Sequence, residues 1–198
     1  MSALQQQFGP IDIYLFDQLL RGNIAPGMII LDAGCGYGRN LVYFLRQGYQ
    51  VFGVDSDARA IEETQSLARP LPASNFHLEP IERMTFADGF ADVVISSAVL
   101  HFAGDDDQFL AMLKGSWRVL RPGGLFFCRL ASSIGIEQLV QPVAGRRHLL
   151  PDGSERYLVD EAMLLRLTAQ LGGELIDPIK TTVVQSQRSM TTWVMRKV

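Results

Sequence analysis

Residues 31–40 place an acidic side chain and three glycines in one short turn. The apolar run Met28–Leu31 before the turn is typical of a buried strand, and residues 41–45 after it have the pattern of a helix. Asp32 ends the strand, and glycines occupy every second position from Gly34 to Gly38. Glycines let the backbone turn sharply and let a ligand approach main-chain atoms. The stretch therefore predicts a nucleotide-binding turn.

The spacing of the glycines distinguishes two classes of cofactor. The dinucleotide fingerprint Gly-x-Gly-x-x-Gly, counted from Gly34, requires its third glycine at position 39. Arg39 stands there, and the glycine comes one position earlier, at Gly38. This spacing argues against a nicotinamide cofactor and favours S-adenosylmethionine.

Two further carboxylates follow predicted strands, where open parallel sheets bind their ligands. Asp55 ends the second strand, and its carboxylate can accept hydrogen bonds from both ribose hydroxyls. The alternative role of Asp55, a helix N-cap, is one that Asp57 also suits. Glu79 follows the third strand and either accepts a hydrogen bond from an adenine amine or is a solvated loop acid. The apolar Ile81 beside it would cover the ring.

Candidate substrate residues lie after the later strands and near the N-terminus. His101, just beyond the small residues Ser96–Ala98, is the best-placed general base for a hydroxyl or amine acceptor, although a packed histidine fits that turn equally well. Arg129 ends the fifth strand and either faces the substrate or pairs with a helix acid. Tyr14, on the first predicted helix, either lies across the site or packs in the core.

Strands and helices alternate along the chain, and this alternation predicts one doubly wound, mostly parallel Rossmann-like α/β sheet with helices on both faces. Two final strands without a helix between them, near 175–184 and 190–195, predict an antiparallel hairpin. The earlier strands are predicted at 28–32, 50–55, 75–78, 92–97 and 125–130, and helices at 11–21, 38–47, 57–68, about 109–120 and 160–171.

Taken together, these motifs resemble the class I S-adenosylmethionine-dependent methyltransferases over roughly residues 28–130. Within that class, residues 34–40 look like the small-molecule group that includes the tellurite-resistance methyltransferases. The resemblance implies a seven-stranded sheet with a reversed last strand, S-adenosylmethionine as cofactor and S-adenosylhomocysteine as product. The motifs that carry it are Asp32-x-Gly34-x-Gly36-x-Gly38, Asp55, Glu79, Ser96–His101 and Arg121–Gly124.

The resemblance also assigns roles by position. The backbone of Gly34 and Gly36 would press against the methionine part of the cofactor, and Asp32 would reach its amino group, directly or through water, or brace the turn. The predicted cofactor site comprises Asp32, Gly34, Cys35, Gly36, Asn40, Asp55, Ser56, Glu79, Pro80, Ile81 and Ser97, the candidate substrate residues are Tyr14 and Arg129, and the candidate catalytic residue is His101.

Composition limits the partners and the compartment. The 198 residues carry a net charge of -3 with no Lys/Arg-rich run, so neither nucleic acid nor an anionic membrane surface is expected as a partner. The two cysteines, Cys35 and Cys128, form neither a disulfide framework nor a metal-ligand pair, and no metal is expected. We expect a cytoplasmic single domain over 1–198, as a monomer or homodimer, without a signal peptide.

The least regular stretch, 131–159, is predicted to cover the active site together with an N-terminal helix within 1–25. It combines several glycines and prolines with the basic cluster 146–148 and follows the fifth strand directly. Long stretches without periodicity are often lids, which predicts that 132–157 moves over the acceptor.

The favoured function is methyl transfer to a small-molecule acceptor by in-line displacement. One alternative is a non-catalytic S-adenosylmethionine-binding regulatory domain, since binding and turnover use the same residues. A nicotinamide-dependent oxidoreductase is disfavoured by the glycine spacing. An amino-methylating nucleic-acid enzyme is disfavoured because Ser96–Val99 replaces its Asn/Asp-Pro-Pro-aromatic motif.

Overall fold

The structure, a computed structural model, describes residues 2–69 and 71–198. Helices flank a mixed sheet, and strands within residues 141–157 form a small second sheet. The helices are α1 (Ala3–Phe8), α2 (Ile13–Leu20), α3 (Val42–Arg46), α4 (Ala58–Leu67), α5 (Asp106–Val119) and α6 (Glu161–Gln170). The strands are β1 (Ile29–Ala33), β2 (Gln50–Asp55), β3 (Phe76–Leu78), β4 (Ala91–Ser97), β5 (Leu120–Ala131), β6 (Gln141–Ala144), β7 (Arg147–Leu149), β8 (Glu155–Tyr157), β9 (Gly173–Leu175), β10 (Lys180–Val184) and β11 (Arg188–Lys197).

The main sheet has the order β10-β11-β5-β4-β1-β2-β3. Strands β1 to β5 pair in parallel, whereas β11 runs antiparallel to β5 and forms the expected hairpin with β10. The predicted fold class is thereby confirmed, including the antiparallel last strand. The short strand β9, which the sequence pattern did not separate from β10, pairs with β11 and makes an eighth strand.

Both faces of the sheet are buried, as its unalternating apolar strands predict. Leu31 and Phe126 point into one core with Phe109 of α5, while the adjacent Ile30 and Phe127 point into the opposite core. Helices α5 and α6 cover the first face, and α2, α3 and α4 cover the second. The carboxyl ends of the parallel strands are therefore held rigidly at one edge.

The structure differs from the sequence prediction in further segments. Helix α3 begins at Val42 rather than at 38, because Gly38 has φ +72° and the chain from Gly38 to Leu41 forms a turn. Helix α1 was not predicted. The stretch 131–159, expected to be irregular, contains the antiparallel sheet β6-β7-β8. No helix in the described part of the chain has the length and hydropathy needed to cross a membrane.

Candidate functional site

A cavity of about 700 Å³ lies at the carboxyl ends of β1, β2 and β4. Nine of the eleven predicted cofactor residues line it, so the structure brings most of the predicted site together. Those nine are Gly34, Cys35, Gly36, Asn40, Asp55, Ser56, Pro80, Ile81 and Ser97, and the structure adds Tyr37, Arg39, Glu82, Ala98, Val99, Phe102, Gln108 and Met112.

The glycine turn is fixed by a close contact at Gly34 and by hydrogen bonds at Gly36. Gly34 has φ +88°, and a Cβ built on it would lie 2.5 Å from Cγ2 of Val99. The N–H of Gly36 donates to Oδ2 of Asp55 over 2.8 Å, and the hydroxyl of Thr64 donates to the Gly36 carbonyl. The turn is therefore tied to β2 and α4, with its backbone open to the cavity.

Asp55 faces the cavity from the end of β2. Its Oδ1 accepts the N–H of Asp57, and its Oδ2 accepts the N–H of Gly36, which leaves lone pairs on both oxygens. The N-cap of α4 is Asp57, whose side chain accepts the N–H of Arg59. The alternative role considered for Asp55 is thus already filled by its neighbour.

Asp32 lies behind the turn and does not line the cavity. Its side chain is buried, and within the described residues its Oδ1 has no hydrogen-bond partner. Burial raises the pKa of Asp32 to about 8, the positive charge of Arg39 opposes this shift, and the carboxylate of Asp55 adds to it. A buried carboxylate with an unpaired oxygen fits a cationic group at this place, such as the ammonium of a methionine moiety.

The carboxylate that lines the cavity near Ile81 is that of Glu82 and not that of the predicted Glu79. Glu79 turns away from the cavity, because its Oε1 accepts the N–H of Thr85 over 3.0 Å and lies 3.1 Å from Nδ1 of His77. Glu82, in the short turn that begins at Ile81, lines the cavity instead. The assignment of Glu79 to the adenine amine therefore lacks support, since its side chain closes its own loop.

A second cavity, of about 450 Å³, adjoins the first. Arg39, Ala98 and Phe102 line both, so the two cavities meet at these residues. Ala98 has φ +64°, a strained conformation for a residue with a Cβ. The other lining residues of the second cavity are His101, Arg129, Ala131, Leu150, Asp152, Ser154, Arg156, Val184, Arg188 and Met190.

Buried Asp12 organises the wall between the cavities. Its Oδ2 accepts a hydrogen bond from Nη1 of Arg129 over 2.9 Å and lies 3.8 Å from Nη2 of Arg39. Arg39 also donates to the hydroxyl of Ser97, and the side chain of Asn40 accepts the backbone N–H of Asp12. Sequence reasoning missed Asp12; its one local signal was its position as the N-cap of α2.

His101 is buried at the floor of the second cavity. Its Nδ1 accepts the backbone N–H of Ala131 over 3.0 Å. Burial, and next the positive charge of Arg156, lower the pKa of His101 to about 4, so the ring is neutral at pH 7. Since Nδ1 is an acceptor, the proton of the neutral ring is on Nε2. That tautomer has no free nitrogen to act as the expected general base.

The N-terminal segment does not reach into either cavity in the described residues. The ring of Tyr14 lies 5.5 Å from the Arg129 guanidinium carbon, and its hydroxyl bonds to that of Thr182. Tyr14 thus supports Arg129 instead of lining a cavity, whereas Arg129 does line the second one. The described residues also contain no group of three or more His, Cys, Asp or Glu side chains arranged to hold a metal ion.

The fold and the glycine turn define a Rossmann-like nucleotide-binding domain. Residues 31–128 match the family model described as the methyltransferase domain. The match spans 98 of the 198 residues and contains the glycine turn, Asp55 and the strands β2, β3 and β4.

Individual relatives are methyltransferases by name. The chain is 33% identical over 113 residues (56% of its length) to an uncharacterized methyltransferase of Synechocystis sp.. It is 30% identical over 153 residues (76% of its length) to a malonyl-[acyl-carrier protein] O-methyltransferase of Pseudescherichia vulneris. The alignments span 51% and 57% of these proteins, so the chain spans about half the length of the curated relatives it matches.

A solved structure shares nearly the whole fold. The 1,6-didemethyltoxoflavin-N1-methyltransferase of Burkholderia thailandensis, with 1,6-didemethyltoxoflavin and S-adenosylhomocysteine bound, superposes with a TM-score of 0.73 at 21% identity. The superposition covers 99% of this chain and 81% of that one. At this identity the likeness is one of fold.

Proposed function

We propose that this protein transfers a methyl group from S-adenosylmethionine to a small-molecule acceptor by in-line displacement. The observation that carries the proposal is the pair of cavities that meet at Arg39, Ala98 and Phe102. When bound, S-adenosylmethionine supplies a methyl group on a positively charged sulfur, which is electrophilic without further activation. The chain then needs only to position a nucleophile in line and exclude water, and adjoining cavities suit both tasks.

In this proposal the 700 Å³ cavity holds the cofactor. Asp55 accepts hydrogen bonds from the ribose hydroxyls with its remaining lone pairs, and the open backbone of Gly34 and Gly36 contacts the methionine part. Buried Asp32 balances the ammonium. Ile81 packs against the adenine face, as supported by its place in the wall.

The second cavity then holds the acceptor, and the surrounding chain covers it. Residues of the 131–159 segment line that cavity, among them Leu150 and Arg156, which supports a covering role. Movement of the segment remains a prediction. The N-terminal segment contributes indirectly, through Asp12 and Tyr14 behind Arg129.

We also propose three narrower points. The glycine turn at 34–40 supports membership of the small-molecule group that resembles the tellurite-resistance enzymes. The free, buried thiols of Cys35 and Cys128 support a reducing, cytoplasmic setting. The net charge of -3 supports a small-molecule acceptor over nucleic acid.

The test measures S-adenosylhomocysteine release from S-adenosylmethionine across a panel of acceptors that includes thiols, selenite and tellurite. We expect release that depends on one class of acceptor and is lost in Asp55→Ala. Binding of S-adenosylmethionine without turnover on any acceptor would favour the regulatory binding domain. Tighter binding of NAD than of S-adenosylmethionine would refute the proposal.

A further inference from the structure

We propose that the second cavity is an anion-binding site and that the acceptor is a small molecule bearing a carboxylate or comparable oxyanion, held by Arg129, Arg156 and the Nε2–H of His101. The anion site rests on the geometry of this cavity. Only its use for a methyl acceptor rests on the proposed function.

The charge lining the cavity is positive. Four guanidinium groups line it, and the single carboxylate among the lining residues is that of Asp152. Asp12, buried behind the wall, compensates part of the charge of Arg39 and Arg129. Arg156 and Arg188 form no ion pair within residues 2–69 and 71–198. A hydrogen bond from Ser154 and the charges of Arg188 and Arg156 lower the pKa of Asp152, so this carboxylate offsets part of the charge of the two arginines. Four guanidinium groups against the carboxylates of Asp12 and Asp152 still leave net positive charge facing a space of ligand size.

The arginines also have unused donors in fixed positions. Nε of Arg129 is buried and has no hydrogen-bond partner in the described part of the chain. The guanidinium of Arg156 is oriented by the Phe102 ring, whose centroid lies 4.9 Å away, and by one bond to the Glu155 carbonyl. A planar guanidinium binds a carboxylate or phosphate through paired N–H bonds, so donors held in this way suit an oxyanion.

His101 adds a neutral donor from the floor of the cavity. The N–H of Ala131 occupies Nδ1, which leaves the proton on Nε2, and Nε2 has no partner among the hydrogen bonds of the described residues. An N–H at this place stabilises an anion and cannot accept a proton from a hydroxyl. His101 is thus a positioning residue, and the acceptor arrives with its attacking lone pair already available.

The experiment titrates benzoate, malonate and inorganic phosphate into protein saturated with S-adenosylhomocysteine, at constant ionic strength, by calorimetry. Benzamide and malonamide serve as neutral controls of the same shape. We expect the dissociation constant of benzoate or malonate to be about tenfold or more below that of its amide. For phosphate, which has no amide control, the comparison is with the dissociation constant of chloride added as sodium chloride. If only benzoate or malonate binds, the acceptor carries a carboxylate. If only phosphate binds, the acceptor carries a phosphate-like oxyanion.

Matched variants locate the binding. Arg156→Gln is expected to weaken the anion about tenfold or more, because a charged hydrogen-bond donor is lost. Arg146→Gln is the control, since Arg146 pairs with Asp160 and does not line the cavity. His101→Asn keeps an acceptor for the Ala131 N–H and loses the donor at the Nε2 position, so anion affinity falls while the melting temperature is maintained.

Three results would overturn the inference. If the anions bind no more tightly than their amides, the cavity is not an anion site. If Arg156→Gln and Arg146→Gln lower anion affinity equally, the anion binds elsewhere. Imidazole ¹⁵N shifts showing the His101 proton on Nδ1 would remove the donor. Failure to bind S-adenosylhomocysteine would instead refute the proposed function, and titration of the unliganded protein would still decide the anion site.

Discussion

Replacing Asp55 by Ala is expected to weaken S-adenosylhomocysteine binding by about 2–4 kcal/mol. Two hydrogen bonds from the ribose hydroxyls to a carboxylate are lost, and charge-assisted bonds contribute about 1.5–3 kcal/mol each. Water that enters the space left by the side chain replaces part of this loss. The loss corresponds to about 30- to 700-fold in dissociation constant. The carboxylate also accepts the N–H of Gly36, so part of the effect reaches the cofactor through the glycine turn. Calorimetric titration measures the change.

Asp57→Ala is the matched control for this experiment. Asp57 is an aspartate two residues away whose side chain caps α4 and does not line the cavity. We expect its loss to cost about 1 kcal/mol of folding stability and to leave cofactor affinity unchanged. If the two variants bind S-adenosylhomocysteine equally well, Asp55 has no role in binding and the reasoning is refuted.

Three further predictions concern the site and its cover. Ala98→Gly is expected to raise stability by about 0.5–1 kcal/mol in thermal unfolding, because glycine adopts φ +64° without strain; an unchanged melting temperature would contradict this. If the cover closes, hydrogen exchange in 132–157 and 10–21 slows when S-adenosylhomocysteine binds, and slowing confined to the glycine turn would exclude a lid. Asp32, with its pKa raised to about 8, is mostly protonated at pH 7, and the cofactor ammonium stabilises its carboxylate. Binding at pH 7 is therefore expected to release up to about one proton, less above pH 8 and none in Asp32→Asn, as measured by calorimetry in buffers of different ionisation enthalpy.

The central strands β1, β2 and β4 were predictable because each is a short apolar run followed by its own turn signal. Elements without such local signals were missed. Strands β6 to β8 are three or four residues long and Tyr157 is their one buried residue, so no apolar run marks them. The β10-β11 hairpin was recovered from the two strands, not from its turn, where Gln185 and Ser186 adopt positive φ without glycine or asparagine.

The cofactor side of the site was predictable for the same local reason. Gly34 and Gly36 lie just beyond β1 and Asp55 ends β2, and ligands of open parallel sheets bind at these strand ends. The distinction between Glu79 and Glu82 depends on a tertiary contact instead. A Cβ on Gly115 of α5 would lie 2.5 Å from the Ile81 carbonyl, so α5 packs directly on the turn that carries Glu82 to the cavity. Nothing in the sequence around Glu79 indicates that contact.

The second cavity has only a partial local signature, because His101 and Arg129 follow or end strands whereas Arg156 and Arg188 carry no such signal. Arg39, His101, Arg129, Arg156 and Arg188 come from five separate segments that meet only in the folded chain. The sequence instead drew attention to the adjacent basic residues 146–148, but Arg146 pairs with Asp160 and Arg147 with Glu155. Of the cavity arginines, Arg39 and Arg129 share the carboxylate of Asp12, and Arg156 and Arg188 form no ion pair in the described part of the chain. An anion site formed by arginines without ion-pair partners can therefore be recognised only when all the ion pairs are known, and these depend on the tertiary structure.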